Sequence, residues 1–427
     1  MEIEKLYEKY RESGKVSTDT RNIAPGSVFF ALKGDKFNAN EFASEAIEKG
    51  ASYAVVDEMR FQKDERYILV PDSLAALQDL AKYHRAQLNI PVIALTGSNG
   101  KTTSKELVNV VLSKKYRTHA TKGNLNNHIG VPLTLLSIDS TVEIAVVEMG
   151  ANHLNEIALL CFIANPTHGF ITNIGKAHIG TFGGFENIIK GKTELFDFLL
   201  QHNGQAFINS RNEILVTQGK RFKNALYYPQ SGDYYHAELL DADPMVVFKA
   251  ENGEKVKTNL LGSYNFENMA AALCIGKFFG VDPVKANEAI AEYVPSNMRS
   301  QVVKKGTNTI ILDAYNANPS SMQAAIENIA QMKSDEKVLI LGDMFELEDE
   351  AAKEHQAIGK LIRDKGLSNV YLCGNLFKSA LHEIPNAKYF GKKEDLIQEL
   401  KQFPISNSTI LVKASRGIGL ETVVEYL

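Results

Sequence analysis

Thr96-Gly97-Ser98-Asn99-Gly100-Lys101-Thr102-Thr103 lies between an apolar stretch, Val92-Ile93-Ala94-Leu95, and a run of helical character from Ser104 to Lys115. Strand, glycine turn, Lys-Thr, helix is the layout of a phosphate-binding loop. Glycines let backbone N–H groups approach a polyphosphate, and the helix N-terminus adds a partial positive charge. Such a loop aims Lys101 at the terminal phosphates and offers the Thr102 hydroxyl to Mg2+. The spacing departs from the Walker pattern: Gly97 precedes Gly100 by three residues, and Leu95 stands where the first glycine normally falls. A plain turn with a helix-capping threonine is the competing reading. The strand–loop–helix context favours nucleotide binding.

Outward from this loop the chain divides into three α/β units. Residues 1–85 carry short buried strands at Val28–Leu32, Tyr53–Val56 and Tyr67–Val70, with helical periodicity over Phe42–Lys49 and Ser73–Gln87. Residues 86–297 open on the loop and continue with strands at Ile144–Val147 and Gly169–Ile174, as expected of a mostly parallel sheet. Residues 204–261 add β-like pieces, and an alanine-rich helix runs from Asn265 to Gly280. Residues 298–427 alternate strand and helix, with strands at Thr309–Leu312, Val338–Leu341, Val370–Leu372 and Thr409–Val412. Each of these strands is followed by a polar or glycine residue: Asp313, Gly342-Asp343, Gly374 and Lys413-Ala414-Ser415-Arg416. In open α/β sheets ligands bind beyond the carboxyl ends of the strands, so four such loops suggest a binding face. Helix capping is the alternative for one or two of them.

A length of 427 residues suits about three domains. The net charge of -4 gives no reason to expect nucleic acid or a membrane surface as partner. Cys161, Cys274 and Cys373 are scattered and odd in number, and they read as reduced thiols of a cytoplasmic protein. Met1-Glu2-Ile3-Glu4-Lys5 is too charged for a signal peptide, and no apolar run reaches the length of a membrane span. Nothing resembles a coiled coil, so a monomer is expected.

Three polar residues of the middle unit stand out. Glu148 follows the buried strand Ile144–Val147 directly, where a carboxylate beside a phosphate loop is placed to hold Mg2+. An N-cap or a solvated acid is the alternative. His178 ends the loop after Ile171-Thr172-Asn173-Ile174, read as strand, and is either structural or a second metal ligand. Lys192 falls on one apolar helical face with Phe185, Ile188, Ile189, Leu195 and Phe196. An unpaired buried ammonium is costly. Lys192 therefore snorkels to water, pairs with an acid, or is carbamylated by CO2.

Further segments carry a resemblance across essentially the whole chain. These are Ser17-Thr18-Asp19-Thr20-Arg21 with Gly26–Gly34, Thr121–Pro132, Asp313-Ala314-Tyr315-Asn316-Ala317-Asn318-Pro319, and Leu341-Gly342-Asp343-Met344. Together with the phosphate loop they resemble the Mur ligase family, ATP-dependent amide-forming enzymes of peptidoglycan assembly. The last two segments are similar to the branch that adds D-alanyl-D-alanine to UDP-MurNAc-tripeptide. The resemblance implies a UDP-sugar-binding first domain, a central P-loop-type parallel sheet domain that binds ATP, and a Rossmann-like C-terminal domain for D-Ala-D-Ala.

Site roles follow from the resemblance residue by residue. It implies nucleotide contacts at Gly97, Ser98, Asn99, Gly100, Lys101, Thr102 and Thr103, with Asn265 and Asn268 at the base. Arg299 and Asp313 bring the third domain onto ATP. Two Mg2+ ions are implied, at Thr102 and Glu148 and at His178 with a carbamate on Lys192; Lys101, His178, Lys192 and Arg299 are the catalytic set. Substrate contacts are implied at Ser17, Asp19, Thr20, Arg21, Asn126, Asn127, Asn316, Asn318, Ser415 and Arg416. Tyr264 departs from the family, where many relatives have histidine. The implied reaction passes through an acyl phosphate, ADP and phosphate to UDP-MurNAc-pentapeptide. The base that takes the amine's proton is open; His355 is a weak candidate because its charged helical stretch reads as solvated. Rival readings are a sister ligase, a folylpolyglutamate synthetase-like enzyme, and a nucleotide-dependent switch without ligation.

Overall fold

A computed structural model describes residues 2–295, 298–334 and 336–427. Met1 and Asn297, the expected outer ends of the first and middle units, lie outside the described residues. The first sheet is parallel, in the order Val16–Ser17, Val28–Phe30, Tyr53–Val56, Tyr67–Leu69. Its strands alternate as period-2 strands must. Phe29, Ala54 and Val56 face a small core with Ala43 and Ala46 of the helix Ala43–Glu48. Val28, Phe30 and Val55 face the opposite way, onto Leu6, Leu77 and Leu80. Leu6 and Tyr10 are the buried i, i+4 pair of a helix at Ile3–Ser13, which the sequence reading left unassigned.

The middle sheet is six-stranded and parallel: Leu226–Tyr228, Gln205–Asn209, His168–Ile171, Val92–Thr96, Ile144–Glu148, Thr118–Ala120. Val92–Thr96 comes first in the chain yet sits between the third and fourth strands in chain order. The connections therefore part to either side of it. That switch point is where an open α/β sheet leaves a crevice, and the phosphate loop, Glu148 and the segment after Ile171 all leave the sheet there. The expected strand over Gly169–Ile174 is corrected: it runs from His168 and stops at Ile171. The Thr172 N–H still donates to the Thr96 carbonyl at 2.9 Å, but the regular strand ends at Ile171, and the Thr172 and Asn173 side chains turn onto the phosphate loop to donate to the Asn99 carbonyl. The helix after the loop begins at Lys101 and ends at Ser113, and the alanine-rich helix is Tyr264–Phe278. A three-stranded antiparallel sheet, Glu238–Asp241, Met245–Lys249 and Lys255–Leu261, accounts for the β-like pieces at the end of the 204–261 stretch.

The third sheet runs Gln301–Lys305, Asn308–Asp313, Thr409–Lys413, Lys337–Gly342, Asn369–Cys373, Lys388–Phe390, with only the first pair antiparallel. The two outermost strands escaped the sequence reading. Each is half-polar and lacks the apolar run of a central strand. Asp343 takes the capping alternative: it accepts hydrogen bonds from the Leu376 and Phe377 N–H groups at 2.9–3.1 Å. The solvated reading of His355 is also corrected. Its ring is fully buried against Phe377, Nε2 accepts from the Met344 N–H at 3.1 Å, and Nδ1 lies 2.6 Å from the Ala351 carbonyl. Burial pushes its pKa down, and with both nitrogens committed it has no free position for an incoming amine. The three cysteines are free and buried.

One apolar core runs without a break from the first sheet into the middle one. Leu77, Leu80 and Val28 belong to the same cluster as Val92, Leu135 and Leu160. Polar ties cross the same junction: Tyr10 Oη donates to the Leu136 carbonyl at 2.6 Å, and the His84 ring lies 2.9 Å from that of Ile138. The buried Arg85 guanidinium donates to the carbonyls of Ala164, Leu88 and Asn165 at 2.9, 2.7 and 3.1 Å. Removing a charged donor with three acceptors costs about 3 kcal/mol. Arg85→Ala should lower the urea midpoint followed by circular dichroism accordingly, and an unchanged midpoint would show that the tie contributes nothing.

Candidate functional site

The phosphate loop is fastened to the turn that follows the neighbouring strand. The Ser98 and Asn99 N–H groups donate to the Asn173 backbone and side-chain oxygens, each at 3.0 Å. Thr172 Oγ1 donates to the Asn99 carbonyl at 2.6 Å, and Ser98 Oγ bridges the carbonyl and N–H of Gly175 at 2.9 and 2.8 Å. The approach is so close that a Cβ on Gly97, whose φ is +147°, would come within 2.0 Å of Thr172 Oγ1. Gly100, at φ +75°, ends the loop and caps the helix.

Lys101 curls back over this loop, donating to the Gly97 carbonyl at 2.8 Å. Burial, reinforced by the Arg299 charge and opposed by Glu148, holds its ammonium down to about 8. Glu148 is buried at the end of its strand. Its Oε1 accepts from Thr102 Oγ1 at 3.3 Å and Asn126 Nδ2 at 2.8 Å, while Oε2 is buried without a partner. A buried carboxylate oxygen with nothing on it, beside a hydroxyl, is an all-oxygen donor set that fits a hard divalent cation. Among the described residues no group of three or more His, Cys, Asp or Glu side chains converges as a metal cluster.

Lys192 is 1% exposed. Its Nζ donates to the Ala151 carbonyl at 3.1 Å and lies 5.3 Å from the Phe182 ring centroid. Burial first, then the Lys101 charge, push it well below the ordinary lysine range. It neither snorkels nor pairs with a carboxylate among the described residues, and its amine is held toward the neutral form. Glu194 instead accepts from the Asn155 and Ala158 N–H groups at 2.6 and 2.9 Å, at the start of the helix Glu156–Ala164.

A cavity of about 850 Å³ opens over the loop. Its floor is the middle unit, with Lys101, Glu148 and Asn268 among the lining residues, and its far wall is the third unit, with Arg299, Asp313 and Tyr315. The two units touch at the loop itself, where Asn318 Nδ2 donates to Asn99 Oδ1 at 2.8 Å. They meet again where Lys176 pairs with Glu354 at 2.7 Å and His178 Nδ1 lies 2.6 Å from Glu346 Oε2. The structure thus brings Ser98 to Thr103 of the expected loop, Asn126, Asn127, Glu148, His178, Asn265, Asn268, Arg299, Asp313, Asn316 and Asn318 to one cavity; Gly97 and Lys192 do not line it.

Several expected residues have other occupations. Asn126 holds Glu148, and Asn127 Oδ1 accepts the Ile129 and Gly130 N–H groups. Asn265 and Asn268 bond one another at 2.9 Å, and Asn268 accepts from Ser104 Oγ at 3.0 Å. Asp313 pairs with the buried Lys413. Ser415 Oγ accepts the Phe345 N–H at 2.9 Å behind the cavity wall. Ser17, Asp19, Thr20 and Arg21 lie away from this cavity, with Asp19 ion-paired to Arg21 at 2.6 Å. Asn173, Glu346 and Tyr315 were missed as site residues, and Lys413 was placed at the binding face without a role. Only Lys413, a lysine ending an apolar strand, carried a local signal.

Residues 95–276 match the family model for the Mur ligase middle domain, and residues 298–416 that for the Mur ligase, glutamate ligase domain. The chain belongs to the Mur ligase family. A UDP-N-acetylmuramoyl-tripeptide–D-alanyl-D-alanine ligase of Bacillus subtilis (strain 168) is 36% identical over 424 residues, spanning 96% of this chain and 92% of its own length. The crystal structure of MurF from Acinetobacter baumannii superposes with a TM-score of 0.86 at 30% identity, covering 96% of this chain and 92% of that one. MurF ligase from Thermotoga maritima, solved in complex with ADP, gives 0.85 at 27% identity and covers 97% of each chain.

In this Mur ligase the loop's conformation depends on Gly97. Gly97→Ala should cost at least about 2 kcal/mol more than Gly123→Ala, since overpacking against a fixed neighbour adds to the positive-φ penalty. Gly123 also has a positive φ but faces open space. Equal melting temperatures for the two variants would show that the Thr172 turn yields freely.

Proposed function

We propose that this chain joins D-alanyl-D-alanine to UDP-MurNAc-tripeptide at the expense of ATP, giving UDP-MurNAc-pentapeptide, ADP and phosphate. The observation that carries this reading is the single cavity shared by the phosphate loop and the third unit's cations. The ligase names of relatives matched over nearly the whole chain support it. In this reading residues 1–85 hold the UDP-sugar, 86–297 the ATP, and 298–427 the dipeptide.

A carboxylate is a poor electrophile, so its oxygen must first attack the γ-phosphorus of ATP. An acyl phosphate forms and ADP leaves. Both partners are anions, and their approach needs concentrated positive charge in a site of low dielectric. Lys101 swings from the Gly97 carbonyl to the phosphates, the Lys101 and Thr102 N–H groups at the helix start hold the β-phosphate, and Arg299 faces them from the third unit. Thr102 and Glu148 would hold Mg2+, which when bound neutralises phosphate charge. The dipeptide amine, once deprotonated, then attacks the acyl carbon, and the C–O electron pair leaves with phosphate. Closure of the third unit on the loop keeps water from the acyl phosphate. Asn265 and Asn268 supply polar edges for the adenine, and Asn316, Asn318 and Arg416 bound the amine side, with Ser415 supporting that wall from behind.

In this reading His178 and a carbamate on Lys192 would hold a second cation. The support is chemical: a buried, neutral amine is the form that adds CO2, releasing a proton and leaving an anion. The family's cytoplasmic setting and its place in cell-wall growth and division belong to the same proposal.

Two outcomes test the reading. Phosphate release by the intact enzyme should require acceptor nucleotide and dipeptide together, and Lys101→Ala should abolish it while leaving the melting temperature within a few degrees. Release with ATP alone at the same rate would mark a hydrolase instead. Lys192→Ala should lose activity and regain part of it in buffer containing a short carboxylic acid. No rescue, together with an unmodified lysine by intact mass at high bicarbonate, would remove the carbamate.

A further inference from the structure

Two guanidiniums lie over one aromatic ring at the cavity wall. The Arg299 Cζ is 4.0 Å, and the Arg416 Cζ 5.2 Å, from the Tyr315 ring centroid. Neither guanidinium makes an ion pair or hydrogen bond among the described residues. The carboxylate nearest Tyr315 in sequence, Asp313, is consumed by Lys413 and by the Ser300 N–H at 3.3 Å. Tyr315 itself is fixed from both sides. It leaves the strand Asn308–Asp313 after the buried Ala314, and the capping box of Asn318 and Ser321 starts the helix Pro319–Gln331 three residues on.

We infer that Tyr315 is a positioning residue that holds Arg299 and Arg416 on one ring, so that the nucleotide-side and amine-side anion contacts are set together. The inference rests on the proposed ligation. A carboxylate partner would consume the N–H donors of an arginine, whereas a ring engages its charge and leaves the planar fork available. Phosphate and carboxylate both take that fork bidentately. Arg299 lines the cavity over the phosphate loop. Arg416 follows Ser415 at the outer end of the strand Thr409–Lys413 and is exposed. It suits the free C-terminal carboxylate of a dipeptide whose amine points inward. Like-charged arginines repel, and a shared ring offsets that repulsion without neutralising either one.

The test uses the full chain and Tyr315→Leu, with ADP affinity by calorimetry and dipeptide KM and kcat by phosphate release. Loss of the ring should raise the ADP Kd and the dipeptide KM roughly tenfold each, with kcat changed far less. Tyr315→Phe keeps the ring and should rescue both constants. In Tyr315→Leu/Arg416→Ala the dipeptide KM should rise no further than in Arg416→Ala alone, since one removes the support of the other. Unchanged constants in Tyr315→Leu, a failed rescue by phenylalanine, or additive losses would each overturn the inference. If Tyr315→Leu does not fold, Arg416→Ala with and without Tyr315→Phe decides it: a hydroxyl role would make the double variant worse, and a ring role would not. Should the wild type not ligate, the proposed function fails, and the ADP arm alone then decides the Arg299 half.

Discussion

The phosphate loop depends on its attachment to the Thr172–Gly175 turn. A glycine-rich loop is ordinarily expensive to order, because glycine loses more backbone freedom than any other residue. Here the cost is met before any ligand arrives, by hydrogen bonds from Ser98, Asn99, Thr172 and Asn173 that cross between two adjacent strand ends. Those strands are adjacent only because the sheet reverses its winding at Val92–Thr96. Topology therefore decides where the loop can be stiff. The same reversal carries Glu148 to one side of the loop and His178 to the other.

Charge in the cavity is arranged with little internal compensation. Lys192 is buried, and the charge of the partly buried Lys101 adds to that burial in holding its amine toward the neutral form. Arg299 and Arg416 lean on an aromatic ring. Glu148 is the carboxylate that reaches the loop, and half of it is unsatisfied. Uncompensated charge of this kind is destabilising in the empty protein. It becomes favourable when polyanions enter, which is the differential binding that catalysis of an anion–anion encounter requires. Asp343 and His355 show the contrast, since both are buried with their polar atoms fully engaged and stabilise the third unit's loops.

Much of this was legible in the chain. Val92–Leu95, Ile144–Val147 and the central strands of the third unit read as strands because they are buried on both faces and apolar throughout. The phosphate loop read correctly despite the missing first glycine, since the flanking strand and helix carry the signal. The failures have a common cause. Ile171–Ile174 has the composition of a strand, yet the regular strand stops at Ile171 and the Thr172 and Asn173 side chains bond the phosphate loop across the crevice. His355 lies among charged residues, yet the fold turns that one position inward against Phe377. Glu346 and Tyr315 act through residues more than a hundred positions away or through a loop packed across them, which no local pattern encodes. Lys192 was the exception, because a lysine on an apolar helical face announces its burial.

The two junctions of the chain are chemically unlike. The first and middle units share hydrocarbon, so parting them would wet a large apolar surface. The middle and third units meet at the cavity chiefly through amides, a hydroxyl and ion pairs: Asn99 with Asn318, Lys176 with Ser320 and Glu354, His178 with Glu346. The seam that opens onto the cavity is therefore the more polar of the two, although Ile179, Met245 and Leu261 of the middle unit also pack against the third unit's core, and it is the one through which ADP and finished product would leave.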